Sequence, residues 1–94
     1  MKHENFVYCV LLGKHISELL RESNNKQLYA DFFAKNNKYY DFDNMSMYDV
    51  YELSVIAINN GNDLVDKNYD YANEISSFLA FCHLFIDEME NLKQ

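Results

Sequence analysis

The chain contains no proline, no tryptophan and no threonine, and only two of its 94 residues are glycine. With so few residues that interrupt a helix, long helices are expected wherever apolar residues recur every three or four positions. Two glycines are also too few for a phosphate-cradling loop. The six serines stand at positions typical of helix caps and helix interiors, so nucleophilic catalysis has no support. The sequence therefore predicts a helical protein that is not an enzyme.

Basic residues are scarce, since eight Lys and Arg stand against 15 Asp and Glu and give a formal net charge of −7. Affinity for nucleic acid comes largely from Lys and Arg that neutralise phosphates, and anionic lipids attract the same residues. The most apolar stretches, at positions 6–13 and 78–86, fall short of the ~20 residues that span a bilayer. We expect direct contact with neither nucleic acid nor a membrane.

Cysteine is limited to Cys9 and Cys82, and each lies inside an apolar stretch. Two cysteines do not build the disulfide framework of a small secreted domain. They are interpreted as buried, reduced thiols, and the protein is expected to be cytoplasmic.

No cofactor or metal is expected. Asp41, Asp43 and Glu52 match three positions of a calcium-binding loop, but Ser46 stands where that loop requires glycine. Cys82 and His83 are adjacent in sequence, so on a helix their side chains point in different directions. No pair of potential ligands in the sequence has the spacing that is diagnostic of a zinc site.

Apolar residues recur at helical spacing in four segments, which predicts an all-α fold, either a small four-helix bundle or an irregular four-helix domain. A chain of this length buries enough surface for one core, so positions 1–94 are expected to form a single helical domain. The first helix is predicted over positions 4–22. Asn24 and Asn25 form a break with a possible N-cap, and a shorter second helix follows them to about Lys35. Positions 36–44 lack helical periodicity and are rich in Asn and Asp, which favours a loop.

The third helix is predicted to begin at a capping pattern formed by Ser46 and Asp49. It is expected to stop at positions 59–61, where Gly61 suits a left-handed position after the helix. The last helix has the widest apolar face, and Leu79 is expected to be fully buried on it. The predicted face consists of Ala72, Ile75, Ser76, Leu79, Cys82, His83, Ile86 and Met89 and is widened by Phe78, Phe81, Leu84 and Phe85. Its start is left open between positions 63 and 70, with positions 62–69 as a separate short turn in the second case.

Charge is distributed unevenly along the chain. Positions 1–40 carry six basic and four acidic residues, whereas positions 41–94 carry two basic and eleven acidic residues, so the two parts have charges of +2 and −9. A strongly acidic surface raises the rate at which a positively charged partner associates. The sequence therefore indicates a basic protein partner.

Six of the eight tyrosines occur in or directly before this acidic part, next to carboxylates. Tyrosine is among the residues that concentrate binding energy at protein interfaces. The alternative is that the carboxylates stabilise helix N-termini and the tyrosines cover the edge of the core. The candidate partner-binding residues are Tyr39, Tyr40, Asp41, Asp43, Tyr48, Asp49, Tyr51, Glu52, Asp63, Asp66, Tyr69, Asp70 and Glu74.

Four of these residues follow helical spacing if the last helix begins early. Asp63, Asp66, Asp70 and Glu74 would then form a line of carboxylates about 16 Å long. Such a line would imitate a run of phosphates, so the protein would act as a nucleic-acid mimic.

These features together predict a small acidic binding protein that inhibits a basic partner, a nuclease toxin or another nucleic-acid-binding protein or complex. Bacteriocin-type immunity proteins and phage anti-defence proteins, anti-CRISPR proteins among them, share this size and acidity as classes, but no motif ties the chain to either. The alternative is a structural or adaptor protein that forms a homodimer or larger oligomer. Its self-interface would consist of Phe78, Phe81 and Phe85.

Overall fold

Helices make up most of the computed structural model, which describes residues 3–23, 26–35, 38–67 and 71–92. In chain order they are α1 (His3–Glu22), α2 (Lys26–Phe33), α3 (Met47–Asn59), α4 (Gly61–Lys67) and α5 (Ala72–Leu92). The all-α prediction is confirmed. The prediction of four helices is wrong, because three long helices, α1, α3 and α5, form the body of the domain. The second predicted helix is shorter than expected, and the last predicted segment is divided between α4 and α5.

The core lies where α5 packs along both α1 and α3, with α2 closing one side. The buried positions on each helix recur at spacings of three and four, as an amphipathic helix requires. Both thiols are buried and unpaired by disulfide, as predicted. The fully buried core side chains are Cys9, Ile16, Leu20, Phe32, Phe33, Val50, Leu53, Ala57, Ile75, Phe78, Cys82 and Phe85.

The buried face of α5 agrees with the predicted one only in part, since Ile75 and Cys82 are buried as expected. Leu79 is only half-buried, and Ser76 and His83 are exposed, whereas Phe78 and Phe85 are fully buried. The reason is that α5 packs against both α1 and α3, so the side of α5 that lies between these two helices is buried. The observed face is therefore rotated from the predicted one towards the aromatic side chains.

A small β-hairpin follows α2. Strand β1 (Ala34–Lys35) pairs in antiparallel fashion with β2 (Lys38–Tyr39), and the backbone N–H of Tyr40 donates to the carbonyl of Phe33 at 3.2 Å. Two residues separate the strands in sequence, which is the commonest hairpin length. Helix α2 therefore ends two residues before its predicted end, and part of the predicted loop at 36–44 belongs to strand β2.

The remainder of that predicted loop contains a 3-10 helix (Phe42–Asn44). Asp41 caps it, because one carboxylate oxygen accepts a hydrogen bond from the backbone N–H of Asp43 at 3.2 Å and the other accepts one from Nδ2 of Asn44 at 2.8 Å. This is the local side chain to backbone bonding that favours Asp in turns.

The capping box of α3 is confirmed. The Ser46 hydroxyl accepts from the backbone N–H of Asp49, and the Asp49 carboxylate accepts from the backbone N–H of Ser46, each at 3.1 Å. At the other end Asn60 is the C-cap, and Gly61 does not adopt the left-handed conformation predicted for it. Gly61 is buried and begins α4, where a Cβ atom would lie 2.8 Å from Cδ1 of Leu79. Its lack of a side chain thus permits the close approach of α4 to α5.

Within the described residues, no helix is both long and apolar enough to cross a membrane.

Candidate functional site

The candidate residues between positions 39 and 52 lie on consecutive elements that a side-chain contact joins. Strand β2, the 3-10 helix and the first half of α3 carry them. The hydroxyl of Tyr40 donates a 2.9 Å hydrogen bond to Oε1 of Glu52, twelve positions later. The structure therefore brings the start and the end of this predicted segment together.

The carboxylates of this segment are held by bonds within the molecule. Asp41 caps the 3-10 helix, Asp49 belongs to the capping box, and Glu52 accepts from Tyr40. Asp43 accepts from Nζ of Lys14 at 2.9 Å, and this contact raises the pKa of the Lys14 ammonium. Asp41 and Asp49 therefore stabilise helix N-termini, as in the alternative that the sequence left open, whereas Asp43 and Glu52 bond to side chains from other parts of the chain.

Fixed carboxylates still present negative charge to the solvent. The Asp43 side chain is 74% exposed in spite of its ion pair, and Asp41 is exposed as well. Because their positions are set before a partner arrives, little side-chain entropy is lost on binding.

The tyrosines of the segment divide into exposed and half-buried side chains. Tyr48 is 68% and Tyr39 57% exposed, and the Tyr39 ring stacks on Tyr29 with centroids 4.8 Å apart. Tyr40 and Tyr51 are half-buried against the core. Burial and, next, the hydrogen bond to Glu52 raise the pKa of Tyr40 well above its ordinary value, so its hydroxyl remains a donor to a more alkaline pH than that of an exposed tyrosine.

The outward face of α3 carries a shallow depression of about 210 Å³ that was not predicted as a site. Val55 and Ile56 contribute its apolar part, and both are half-buried. The signal that was available is their spacing of seven and eight positions from Tyr48, which places the three residues along one side of the helix. The lining residues are Tyr48, Tyr51, Glu52, Val55 and Ile56.

A second depression, of about 180 Å³, lies between α1 and the segment around the 3-10 helix. Asp43 stands at this depression, but the rest of the lining is apolar. Val7 and Leu11 in it are 37% and 57% exposed. The sequence did not single out this surface, because its residues extend an ordinary amphipathic stripe.

The described members of the predicted line of carboxylates lie on two different helices. Asp63 and Asp66 are exposed on α4, whereas Glu74 is half-buried in the first turn of α5. Tyr69 and Asp70 lie outside the described residues. Because α4 and α5 are separate helices, the spacing of three and four positions does not align Asp63 and Asp66 with Glu74, and the early start of the last helix on which the 16 Å row depends is not observed.

The aromatic self-interface predicted as an alternative is also corrected. Phe78 and Phe85 are fully buried in the core of one copy and are not available to another. Phe81 is half-buried and its ring lies 4.8 Å from that of Tyr8, which joins α5 to α1.

Among the described residues, no group of three or more His, Cys, Asp or Glu is arranged to hold a metal ion. The two thiols interact with each other in the core, and the hydrogen bond to Cys9, followed by burial, raises the pKa of Cys82. A protonated, buried thiol is a poor nucleophile and a poor metal ligand.

Comparison of the chain with protein family models, with curated proteins and with solved structures gives no match.

Proposed function

We propose that this protein is a small acidic inhibitor that binds a basic, nucleic-acid-handling protein in the cytoplasm and covers the surface with which that protein contacts nucleic acid. The contact is made by the acidic tyrosine surface, which consists of Tyr39, Tyr40, Asp41, Asp43, Tyr48, Asp49, Tyr51 and Glu52. The observation that carries the proposal is the hydrogen bond from Tyr40 to Glu52, because it joins the two parts of this surface.

Exposed rings beside fixed charges support protein binding over simple solvation. Tyr39 and Tyr48 offer large amphipathic area, and tyrosine is enriched among the residues that dominate interface energies. A surface that only keeps a protein dissolved needs charge but no exposed aromatic rings.

The charge of the surface supports a basic partner. The part of the chain from position 41 onwards carries a formal charge of −9, and Asp43 presents its charge to solvent. Proteins that bind nucleic acid present Lys and Arg for phosphate contacts, so an acidic protein competes for those same residues. A nuclease toxin or a defence nuclease is the partner class that fits, as for an immunity protein or a phage anti-defence protein.

The test is affinity capture with the immobilised full chain at low and at high salt, followed by a nuclease assay on the purified captured protein. The proposal predicts a basic protein that binds in a 1:1 complex, dissociates as salt rises and loses nuclease activity or nucleic-acid binding in the complex. A captured protein that binds nucleic acid equally well in the complex contradicts the inhibitor function.

Self-association is a second candidate function, and exposed apolar residues on α1 and α5 favour it. Val7, Tyr8 and Leu11 on α1 and Leu84 on α5 are 37%, 46%, 57% and 49% exposed. A second copy that covers them would form a homodimer. Sedimentation equilibrium decides this, because a monomer at high micromolar concentration removes the candidate, and Leu11→Gln would dissociate a true dimer.

A further inference from the structure

Helices α1 and α5 pack against each other in antiparallel fashion. The Phe6 ring lies 6.0 Å from the Phe85 ring, and the Tyr8 ring lies 4.8 Å from the Phe81 ring. The residue numbers in these contacts rise along α1 while they fall along α5. Between two such helices, a step of one turn in opposite directions leads from one contact to the next. The ring contacts therefore indicate which residues of the two helices face each other.

The two cysteines occupy such a facing pair. Cys9 is three positions after Phe6 and Cys82 is three positions before Phe85, so both lie about one turn on from that contact. Both side chains are fully buried, and the two thiols are close enough to share a hydrogen bond. A disulfide requires Cβ atoms roughly 3.5–4.5 Å apart, so only a small adjustment separates two contacting thiols from this bond.

We propose that Cys9 and Cys82 are a redox-sensitive latch, in which a small-molecule disulfide such as oxidised glutathione oxidises both thiols and the resulting Cys9–Cys82 disulfide joins α1 to α5. The inference is independent of the proposed function, since neither cysteine belongs to the acidic tyrosine surface. Disulfides in cytosolic proteins of mesophiles, where they occur, are mostly transient bonds with a redox-sensing or catalytic role.

Oxidation of the two thiols requires a local opening of α1. A buried, protonated thiol is inert, so the closed protein does not react. Cys9 lies in the second turn of α1, and its neighbours Val7 and Tyr8 are 37% and 46% exposed. The ends of helices open at a lower free energy than the core of a protein does. Opening of these turns exposes Cys9 and uncovers the side of α5 that carries Cys82.

The reaction proceeds by two thiol–disulfide exchanges. The Cys9 thiol releases its proton to water, and the thiolate attacks one sulfur of oxidised glutathione, which forms a mixed disulfide and expels one glutathione thiolate. As α1 moves back towards α5, the Cys82 thiolate attacks the Cys9 sulfur and expels the second glutathione. Two electrons thus pass from the protein thiols to oxidised glutathione, and the two glutathione thiolates take up the two protons.

The disulfide would restrict the unfolded chain as well as the folded one. It closes a long loop that contains α2, α3 and α4, and such a cross-link lowers the conformational entropy of the unfolded state. The oxidised protein should therefore resist unfolding more strongly than the reduced protein, and a reducing thiol should release the latch.

The experiment incubates the folded full chain, without denaturant, in buffers with increasing ratios of oxidised to reduced glutathione. Mass spectrometry of the acid-quenched chain distinguishes the loss of two hydrogens from the gain of a glutathione. We expect the loss of two hydrogens and its complete reversal by dithiothreitol. The urea midpoint of the oxidised chain should be about 1 M or more higher than that of the reduced chain.

The matched variants are C9S and C82S, in which a hydroxyl replaces one thiol and the charge is unchanged. Neither variant can form the intramolecular bond, so the urea midpoint of neither should rise in oxidised glutathione. A rise in either variant would show that the stabilisation has another source and would overturn the latch. Circular dichroism verifies that the variants keep their helices, and the wild-type result stands by itself if one of them does not fold.

Two further results overturn the proposal. If the thiols of the wild type stay reduced or carry only mixed glutathione adducts at the most oxidising ratio, the opening of α1 does not bring the two sulfurs together. If the disulfide forms but the urea midpoint falls, the bond strains the core and does not latch it. Neither result bears on the proposed inhibitor function, which the captured partner tests separately.

Discussion

Tyr40 and Glu52 are joined by a 2.9 Å hydrogen bond that connects the chain after the hairpin to the second turn of α3. The hairpin and the helix are separate local structures, and this contact sets the position of one relative to the other. It also brings the Tyr39–Asp43 segment and the Tyr48–Glu52 segment into one surface, as the proposed function requires.

The first prediction concerns this bond. Tyr40→Phe removes the hydroxyl and keeps the ring, and we expect a loss of about 0.5–1.5 kcal/mol in the free energy of unfolding. Urea denaturation measures the difference. Tyr8→Phe is the matched control, because the ring contact of Tyr8 with Phe81 is retained in the variant. Equal stabilities of the wild type and Tyr40→Phe would show that the bond contributes nothing.

The second prediction concerns alkaline pH. The pKa values of Tyr40 and Cys82 are raised in the folded protein, so both groups keep protons that the unfolded chain releases above about pH 9 to 10. Their contribution to the free energy of unfolding is complete at neutral pH and is lost as the pH rises above the pKa values of the unfolded chain. The stability difference between wild type and Tyr40→Phe should therefore shrink between pH 9 and pH 11. A difference that grows over this range would contradict the direction of the pKa shift.

The third prediction tests the buried face of α5. Ile75 is fully buried and Leu79 is half-buried, so Ile75→Ala should cost about 2–5 kcal/mol and Leu79→Ala clearly less. Thermal or urea unfolding of the two variants provides the comparison. A larger loss for Leu79→Ala would contradict the half-burial of Leu79 and restore the full burial that the sequence alone suggested for it.

The fourth prediction concerns the start of α3. Ser46→Ala removes the side chain that accepts from the Asp49 N–H and should cost about 0.5–2 kcal/mol. Ser76→Ala is the control, since Ser76 is exposed within α5 and alanine is the better helix former. If both variants unfold at the same urea concentration, the capping box is not a source of stability.

Features that depend only on a few neighbouring residues could be predicted from the sequence. The capping box needs only Ser46 and Asp49, and the bounds of α1 follow from a long and regular apolar stripe. The hairpin was not visible because each strand has two residues, too few to show alternation. The break before α5 was left open, because acidic residues at helical spacing continue through it.

The tertiary part of the site could be predicted only in outline. Tyrosines next to carboxylates indicated an interface, and the structure adds that Tyr40 contacts Glu52 across twelve positions. Val55 was placed on the apolar line of the third helix and Ile56 was given no role, because which side of α3 faces the core depends on how α5 packs against it. The packing of α5 against α3 joins residues that are far apart in the sequence, so no short stretch of sequence indicates it.

The central claim is that the acidic tyrosine surface itself binds the partner, and charge-matched variants test it most directly. D43N/E52Q and D63N/D66N each change the net charge from −7 to −5, the first on this surface and the second on α4. Glutamine at position 52 retains an oxygen that accepts from Tyr40. The measurement is the Kd of the full chain for its captured basic partner by isothermal titration calorimetry. We expect D43N/E52Q to weaken binding about tenfold or more and D63N/D66N to change it about twofold or less. Equal losses in both variants would show that overall charge, and not this surface, binds the partner.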